Sequence, residues 1–503
     1  MTPASSLSPS PPLPAQVCVD VTDLLAYASE QSTVSGIQRV VVRTIQGFIA
    51  MHGVENVDIF RFNPAKNGFE RACSDFFASD ENYSHKSFCE YFAIDSVRSD
   101  GSYASLGQYL RAKYKGQLLR QGYKHLFLST MNAIDGGRSF KKRKIDRTAP
   151  GNAPRRRVNW RDARFRRDDR LLILGATWDF PSYGAALAQT KATSGFTVCQ
   201  MVHDLIPLVA PEYVSDEAAS RFEAYIRHVF QTADVIIANS FATRKDIETC
   251  ARSWRIDRAA PIVVPLAQEF LLRPADPAAG RAAPAFNRGS YRLRDHATAR
   301  VLRAAVDPYV LVVGTIESRK NLTRLIGVWS RLRQERPAGT PKLILAGKPG
   351  FGSREIRAIL TATGHLLGKV KWIDRPDDGE LAFLYANCLF SVCVSYYEGW
   401  GLPVGESLWF GRPALASRSS SLPEAGGPLA DYCDPYDDDD IYEKLSRLIF
   451  DPGHRARRVE AINGAKLRTW DAVAADLWNA ARSPRTVQRG LGDETKESPK
   501  AHV

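Results

Sequence analysis

Two glutamates, Glu398 and Glu406, stand eight residues apart in Ser395-Tyr-Tyr-Glu-Gly-Trp-Gly-Leu-Pro-Val-Gly-Glu-Ser-Leu-Trp-Phe-Gly411-Arg-Pro413. Carboxylates accept hydrogen bonds, so such a pair can hold the hydroxyls of a sugar. Arg319 and Lys320 close a second stretch, Gly314-Thr-Ile-Glu-Ser-Arg-Lys-Asn-Leu322. A guanidinium fork and an ammonium point charge are the two usual ways of holding phosphate oxygens. His203 and Asp204 open a third, His-Asp-Leu-Ile-Pro207. Sugar acceptors beside phosphate donors make the chemistry of a nucleotide-sugar pocket.

The elements that must position these groups are legible around them. Leu389–Val394 is a short apolar run, as in a buried parallel strand. Pro403 suits the first residue of a helix, where its missing N–H is no loss, and Gly411 ends that helix. Glu398 is therefore expected on a strand-to-helix loop and Glu406 in the helix's first turn, both facing the crevice where strand C-termini meet helix N-termini. Pro308–Val313 is a strand running into Gly314 and the two cations. Phe196–Val202 is a strand ending at His203, which faces a cleft or is simply a hydrogen-bonded structural histidine. Ala233–Ala238 is a strand followed by Asn239-Ser240, where Ser240 reads as a helix N-cap. Val17–Val21, the loop Ser32–Gly36 and a helical run (Ile37, Val41, Ile45, Phe48) open the chain as strand, glycine turn and helix. Gly36 alone would also suit any tight turn.

Glu398-x7-Glu406 within Tyr-Glu-Gly-Trp-Gly-Leu-Pro, followed by Ser419-Ser-Ser-Leu-Pro-Glu424, resembles the signature of glycosyltransferase family 4, retaining enzymes of GT-B fold. The resemblance covers roughly residues 17–480 and is strongest over 308–440. It implies an α/β GT-B architecture, two doubly wound Rossmann-like domains facing a cleft. The domains expected are an acceptor-side domain at 17–300 and a nucleotide-sugar domain at 307–470. A helix at 471–483 crosses back to the first, with a disordered tail at 1–16 and a polar tail at 484–503. It implies hexose transfer from a nucleotide diphosphate sugar to a saccharide or lipid-linked saccharide, with no metal. Glu398, Lys320, Arg319 and His203 would be catalytic. Glu406, Gly314, Gly399, Gly401 and Leu402 would bind the donor, with Gly36, Asp204, Asn239 and Ser240 on the acceptor side. Two departures stand out: Ser35 replaces the first glycine of the family's N-terminal loop, and Thr315 stands where many members carry arginine, so that Arg319 takes over that contact. Thr-Ile-Glu-x-Arg-Lys-Asn and His-Asp-Leu-Ile-Pro look most like bacterial mannosyltransferases of surface-polysaccharide synthesis, which favours GDP-mannose as co-substrate. A GT-B nucleotide-sugar epimerase, a phosphorylase and a non-catalytic GT-B assembly protein are the alternatives.

The 503 residues allow two or three domains, and 44% hydrophobic with 24% charged residues is ordinary for a soluble globular chain. No apolar run reaches bilayer-spanning length, and residues 1–16 lack the basic start and apolar core of a secretory signal, so a cytoplasmic location is expected. Eight scattered cysteines without a C-x2-C pair read as buried thiols in a reducing compartment. The net charge is +13, of which residues 137–170 carry +10, from 14 Lys and Arg against 4 Asp. That segment is expected to be a solvated linker or a peripheral contact with anionic membrane at its inner face, with Trp160 and Phe165 inserting among headgroups. Nucleic acid is not expected as a partner, because no reading motif accompanies the charge. Residues 63–136 show no clean periodicity and are expected to be an insertion around the acceptor cleft.

Overall fold

A computed structural model describes residues 17–31, 36–78, 85–94, 157–270 and 297–483. The chain divides into two compact units, 1–199 and 200–503. A domain boundary is expected at 300–307; the compact division falls inside the strand Thr197–Val202. Residues 200–270 are bonded to much later ones within the second unit. Arg468 donates to the Pro265 carbonyl at 2.9 Å, and the Trp470 N–H donates to Glu269 at 2.8 Å. The helix that follows, Trp470–Ala481, packs on the strand Val235–Ala238.

In the first unit β1 (Val17–Asp20) pairs in parallel with β2 (Val57–Asn63) and β5 (Arg170–Ile173). β3 (Gly68–Cys73) returns antiparallel to β2, and the short β4 (Arg161–Asp162) pairs antiparallel with β3. This hairpin falls in the stretch where no periodicity was legible. The helix Gly36–His52 buries Val41, Ile45 and Phe48, as their spacing predicts, while Ile37 is only half-buried. The loop 32–35, most of 63–136 beyond the hairpin, and 137–156 lie outside the described residues.

The expectation for Phe165 is corrected. Its ring is buried, stacked on Phe196 at 4.1 Å and on Phe60 at 4.7 Å between centroids. Trp160 lies under the Arg61 guanidinium, 4.3 Å from its ring centroid. A ring packed between two others is not available to insert among headgroups, so Phe165 belongs to the core of the unit.

In the second unit β6 (Thr197–Val202), β7 (Val235–Ala238) and β8 (Ile262–Val263) run in that order. A six-stranded parallel sheet follows, from β9 (Tyr309–Val313), β10 (Lys342–Ala346), β11 (Val370–Ile373), β12 (Ser391–Cys393), β13 (Ala414–Ser417) and β14 (Asp431–Cys433). The spatial order is β11-β10-β9-β12-β13-β14, so the direction of winding reverses between β9 and β12. Loops leaving the C-terminal ends of those two strands diverge there and open a crevice, the place where such sheets bind ligands. The strands are near-continuous apolar runs because helices cover both faces. The helix Leu322–Glu335 buries Leu325, Trp329 and Leu332 on one face. Tyr385, Phe410 and Phe270 stack on the other.

Two carboxylates of the first unit, the buried Asp20 and the half-buried Asp23, are held by hydrogen bonds. Asp20 accepts from the Thr22 N–H at 2.9 Å and from Tyr183 Oη at 2.9 Å, and Asp23 accepts from Gln38 Nε2 at 2.6 Å. Burial pushes both carboxyl groups up to about 6. The folded state therefore holds protons that the unfolded chain, near 3.8, has released, so stability falls as pH rises from 3.8 to 6 and stays reduced above. Asp20→Asn removes that ionisation, so its melting temperature relative to wild type should climb between pH 4 and pH 7. A difference that stays constant across that range would contradict the buried-acid account.

Candidate nucleotide-sugar site

The two loops at the winding reversal carry the charged candidates. Ser318–Lys320 forms a single 3-10 turn after β9, and Asn321 then sits at φ 59°, a left-handed conformation that asparagine tolerates. Its side-chain amide donates to the Pro435 carbonyl at 2.8 Å, which fixes the turn. Gly314, at φ 133°, leaves β9 so that the Lys320 side chain can pass over it. Lys320 Nζ reaches Glu398 Oε1 at 2.5 Å, and Arg319 Nη1 reaches Glu398 Oε2 at 2.8 Å. The other arm of Arg319 pairs with Glu317 at 2.6 Å, and Arg319 also donates to the Tyr397 carbonyl. Side-chain exposure is only 9% for Glu398, 12% for Lys320 and 14% for Arg319, so this is a desolvated ion cluster. Burial alone would raise the Glu398 carboxyl, but Arg319 first and Lys320 second outweigh it and hold it down at about 2.

The Glu398 loop is held by hydroxyl groups that the sequence did not single out for this role. Ser420 Oγ accepts from the Glu398 N–H at 2.8 Å. Ser421 Oγ donates toward the carbonyls of Glu398 at 2.8 Å and Trp400 at 3.0 Å, and Ser417 Oγ donates to that of Ser395 at 2.6 Å. Gly399 passes so close to the His203 loop that an added Cβ would lie 2.1 Å from the His203 carbonyl oxygen. Gly401, at φ 103°, caps the next helix, and a Cβ there would meet Leu422 at 2.4 Å. The helix runs Leu402–Trp409 with Pro403 as its second residue, and Gly411 follows it at φ 67°. Glu406 is therefore the fifth residue of the helix, one position further in than a start at Pro403 would put it, at the end of the first turn. It is buried and accepts from Tyr385 Oη at 2.8 Å.

His203, Asp204, Asn239 and Ser240 come to the same loop. Ser240 caps the helix Phe241–Ser253, accepting from the Thr243 N–H at 3.0 Å, and also donates to the Gly399 carbonyl at 2.9 Å. Capping thus accounts for half of its bonding. Thr243 Oγ1 donates toward the carbonyls of His203 and Gly399, each at 3.3 Å. Asn239 is buried beside it, and its side-chain oxygen has no hydrogen-bond partner. Asp204 accepts from the Ile206 N–H at 3.0 Å; desolvation raises its carboxyl although Arg319 opposes the shift. The His203 ring is half-buried. Gly36 begins the helix Gly36–His52 of the first unit.

Glu424 ends the serine-rich motif Ser419-Ser-Ser-Leu-Pro-Glu424. Its two carboxylate oxygens accept from the backbone N–H groups of Phe241 at 2.7 Å and Ala242 at 2.9 Å, ending the same helix that Ser240 caps. A signal existed in the sequence, since an acid suits a helix N-terminus, but the 183-residue separation hid the partner.

Comparison with known proteins agrees with this fold. The fold is GT-B: the structure of Anabaena Alr3699/HepE in complex with UDP and glucose superposes with a TM-score of 0.52 at 12% identity, covering 92% of this chain and 98% of that one. Residues 297–465 match the family described as glycosyl transferases group 1. The chain is 26% identical over 279 residues to O-antigen chain mannosyltransferase B of Escherichia coli, covering 55% of this chain and 68% of the relative. It is also 26% identical over 247 residues to the serotype-specific mannosyltransferase WbdA of Escherichia coli, covering 48% of this chain but only 28% of that relative.

Removing Glu424 should strip the helix Phe241–Ser253 of two acceptors. Glu424→Ala is expected to destabilise the protein by about 1.5–3 kcal/mol, the usual cost of losing a charge-assisted bond, with Glu424→Gln in between. The chemical-denaturation midpoint measures this, and an unchanged midpoint in Glu424→Ala would show that water replaces the carboxylate without loss.

Proposed function

We propose that this protein is a retaining glycosyltransferase that moves a hexose, mannose by preference, from a nucleotide diphosphate sugar to a saccharide or lipid-linked saccharide during polysaccharide synthesis. The observation that carries the reading is the cluster of Glu398, Arg319 and Lys320 at the winding reversal of a parallel sheet. Arg319 and Lys320 would take the diphosphate as its charge grows in the transition state, without a divalent ion, a preorganised electrostatic contribution. Glu398 would accept from the hydroxyls of the donor sugar, and Glu406, steadied by Tyr385, from the ribose. Gly314, Gly399, Gly401 and Leu402 would let the donor approach the backbone. His203, Asp204, Asn239 and Ser240 would border sugar and acceptor. The nucleophile would be the acceptor hydroxyl. The names of the relatives support the mannosyl preference.

Lys320→Ala should lower turnover by about 10²–10³-fold, the usual effect of deleting one preorganised partner of a developing charge. Release of nucleoside diphosphate from GDP-mannose, followed with and without a chelator, measures it. A fully active variant, or wild-type activity abolished by the chelator, would contradict the assignment. Glu406→Ala should instead weaken binding of the nucleoside diphosphate by roughly 1.5–3 kcal/mol, read by calorimetry. A non-catalytic assembly protein would release no nucleoside diphosphate even in the wild type.

The acceptor's lipid would bring the enzyme to an anionic membrane face through residues 137–156, which hold eight Lys and Arg against one Asp. Among the described residues no helix is long and apolar enough to cross a membrane. Such attraction contributes on the order of 1 kcal/mol per basic residue and fades with salt. Replacing Lys141, Lys142, Arg143 and Lys144 by glutamine should therefore abolish low-salt sedimentation with phosphatidylserine vesicles while sparing activity on a soluble acceptor. Loss of that activity as well would assign the segment to the acceptor site instead.

A further inference from the structure

We infer that Tyr213, Tyr396 and Tyr436 form a stacking platform for a saccharide ring of the acceptor, an inference that rests on the glycosyltransferase reading above. Three stretches distant in sequence meet here. Tyr213 and Tyr396 are nearly parallel, with centroids 5.7 Å apart and planes at 11°. Tyr436 continues the stack 5.0 Å from Tyr396 at 30°. The outermost ring, Tyr436, is 65% exposed. A large aromatic side chain this exposed, packed beside two further rings, offers surface that the apolar face of a ligand can cover.

The stack is anchored to the charged site. The Tyr396 N–H donates to the Arg319 carbonyl at 3.0 Å, and Tyr396 lies two residues before Glu398. Tyr436 follows Pro435, the residue that receives the Asn321 amide, and Arg324 donates to the Tyr436 carbonyl at 3.0 Å. Tyr436 is therefore fixed to the turn that presents Arg319 and Lys320. Tyr213 ends the segment Pro211–Tyr213 that follows His203 and Asp204. Around the rings stand the polar side chains of Glu212, Arg324 and Asp438, with Arg324 paired to Asp438.

An open aromatic face rimmed by carboxylates and a guanidinium fits a pyranose, which presents one face of C–H groups and an edge of hydroxyls. A nucleobase would also stack, but it fits this place less well. In the reading above the base lies beyond the diphosphate on the side of Glu406, whereas the platform adjoins Glu398 and the His203 loop, where sugar and acceptor meet. The platform thus deepens the acceptor side, and it would hold an acceptor unit next to the one that receives the hexose.

The test uses the full chain with Tyr436→Ala and Tyr436→Phe, at an exposed position where folding is not at stake. An α-linked mannose trisaccharide serves as probe, with GDP as control. Tyr436→Ala should raise the KM for the trisaccharide by about tenfold, as the loss of one stacking contact implies, with kcat and GDP affinity unchanged. Tyr436→Phe keeps the π-face and should stay within about twofold of wild type. Saturation-transfer NMR of the trisaccharide on wild type and variants reads the same site without turnover, so a failure of the transferase reading does not silence the experiment. An unchanged KM and unchanged saturation transfer in Tyr436→Ala would overturn the platform. So would a fall in GDP affinity with trisaccharide binding intact, which would make the stack a nucleobase contact.

Discussion

The structure of the site depends on burying three charges together. Glu398, Arg319 and Lys320 are each largely removed from water, where an isolated ion would be strongly destabilising. They are tolerated because each neutralises another, and because the backbone supplies the remaining bonds. Bringing them together requires that loops from β9 and β12, side by side in the sheet although nearly 80 residues apart in the chain, turn toward each other at one height. The parallel pairing of the two strands sets that height, Asn321 fixes one loop and the serines 417, 420 and 421 fix the other. Gly399 adds the last condition, since only a residue without Cβ lets the Glu398 loop rest on the His203 carbonyl.

The same cluster suits the proposed chemistry. Cations that are already oriented and dry need little rearrangement when an anion arrives, which is the essence of electrostatic preorganisation. The carboxylate that balances them is the group proposed to hold the sugar. In the proposed function, a diphosphate entering beside Arg319 and Lys320 would supply the counter-charge in its place, and Glu398 would become available to hydroxyl groups. Filling the donor site and readying the sugar-binding carboxylate would then be one electrostatic exchange.

Much of this was legible because the motif states its own context. The apolar run before Ser395, the glycines, Pro403 and Gly411 require a strand, a loop and a helix, and β12 and the helix Leu402–Trp409 follow. The helix starts one residue earlier than Pro403 suggested, because Gly401 caps it. The second support of the loop was not legible. Ser240 announces itself as a cap, but its bond to Gly399 and the reach of Glu424 to the same helix join residues more than 150 positions apart, which no local pattern encodes. Phe165 shows the opposite failure: a run of arginines suggested a projecting segment, whereas one aromatic ring between Phe60 and Phe196 draws it into the core.

The exchange of counter-charge is tested most directly by the affinity of Glu398→Gln for a bare nucleoside diphosphate, measured by calorimetry beside wild type. The side chain keeps its shape but no longer competes for Arg319 and Lys320. The account predicts that GDP binds the variant several-fold more tightly while hexose transfer is lost. Weaker binding of GDP by Glu398→Gln would contradict it, because the carboxylate would then be supporting the diphosphate site and not standing in for its ligand.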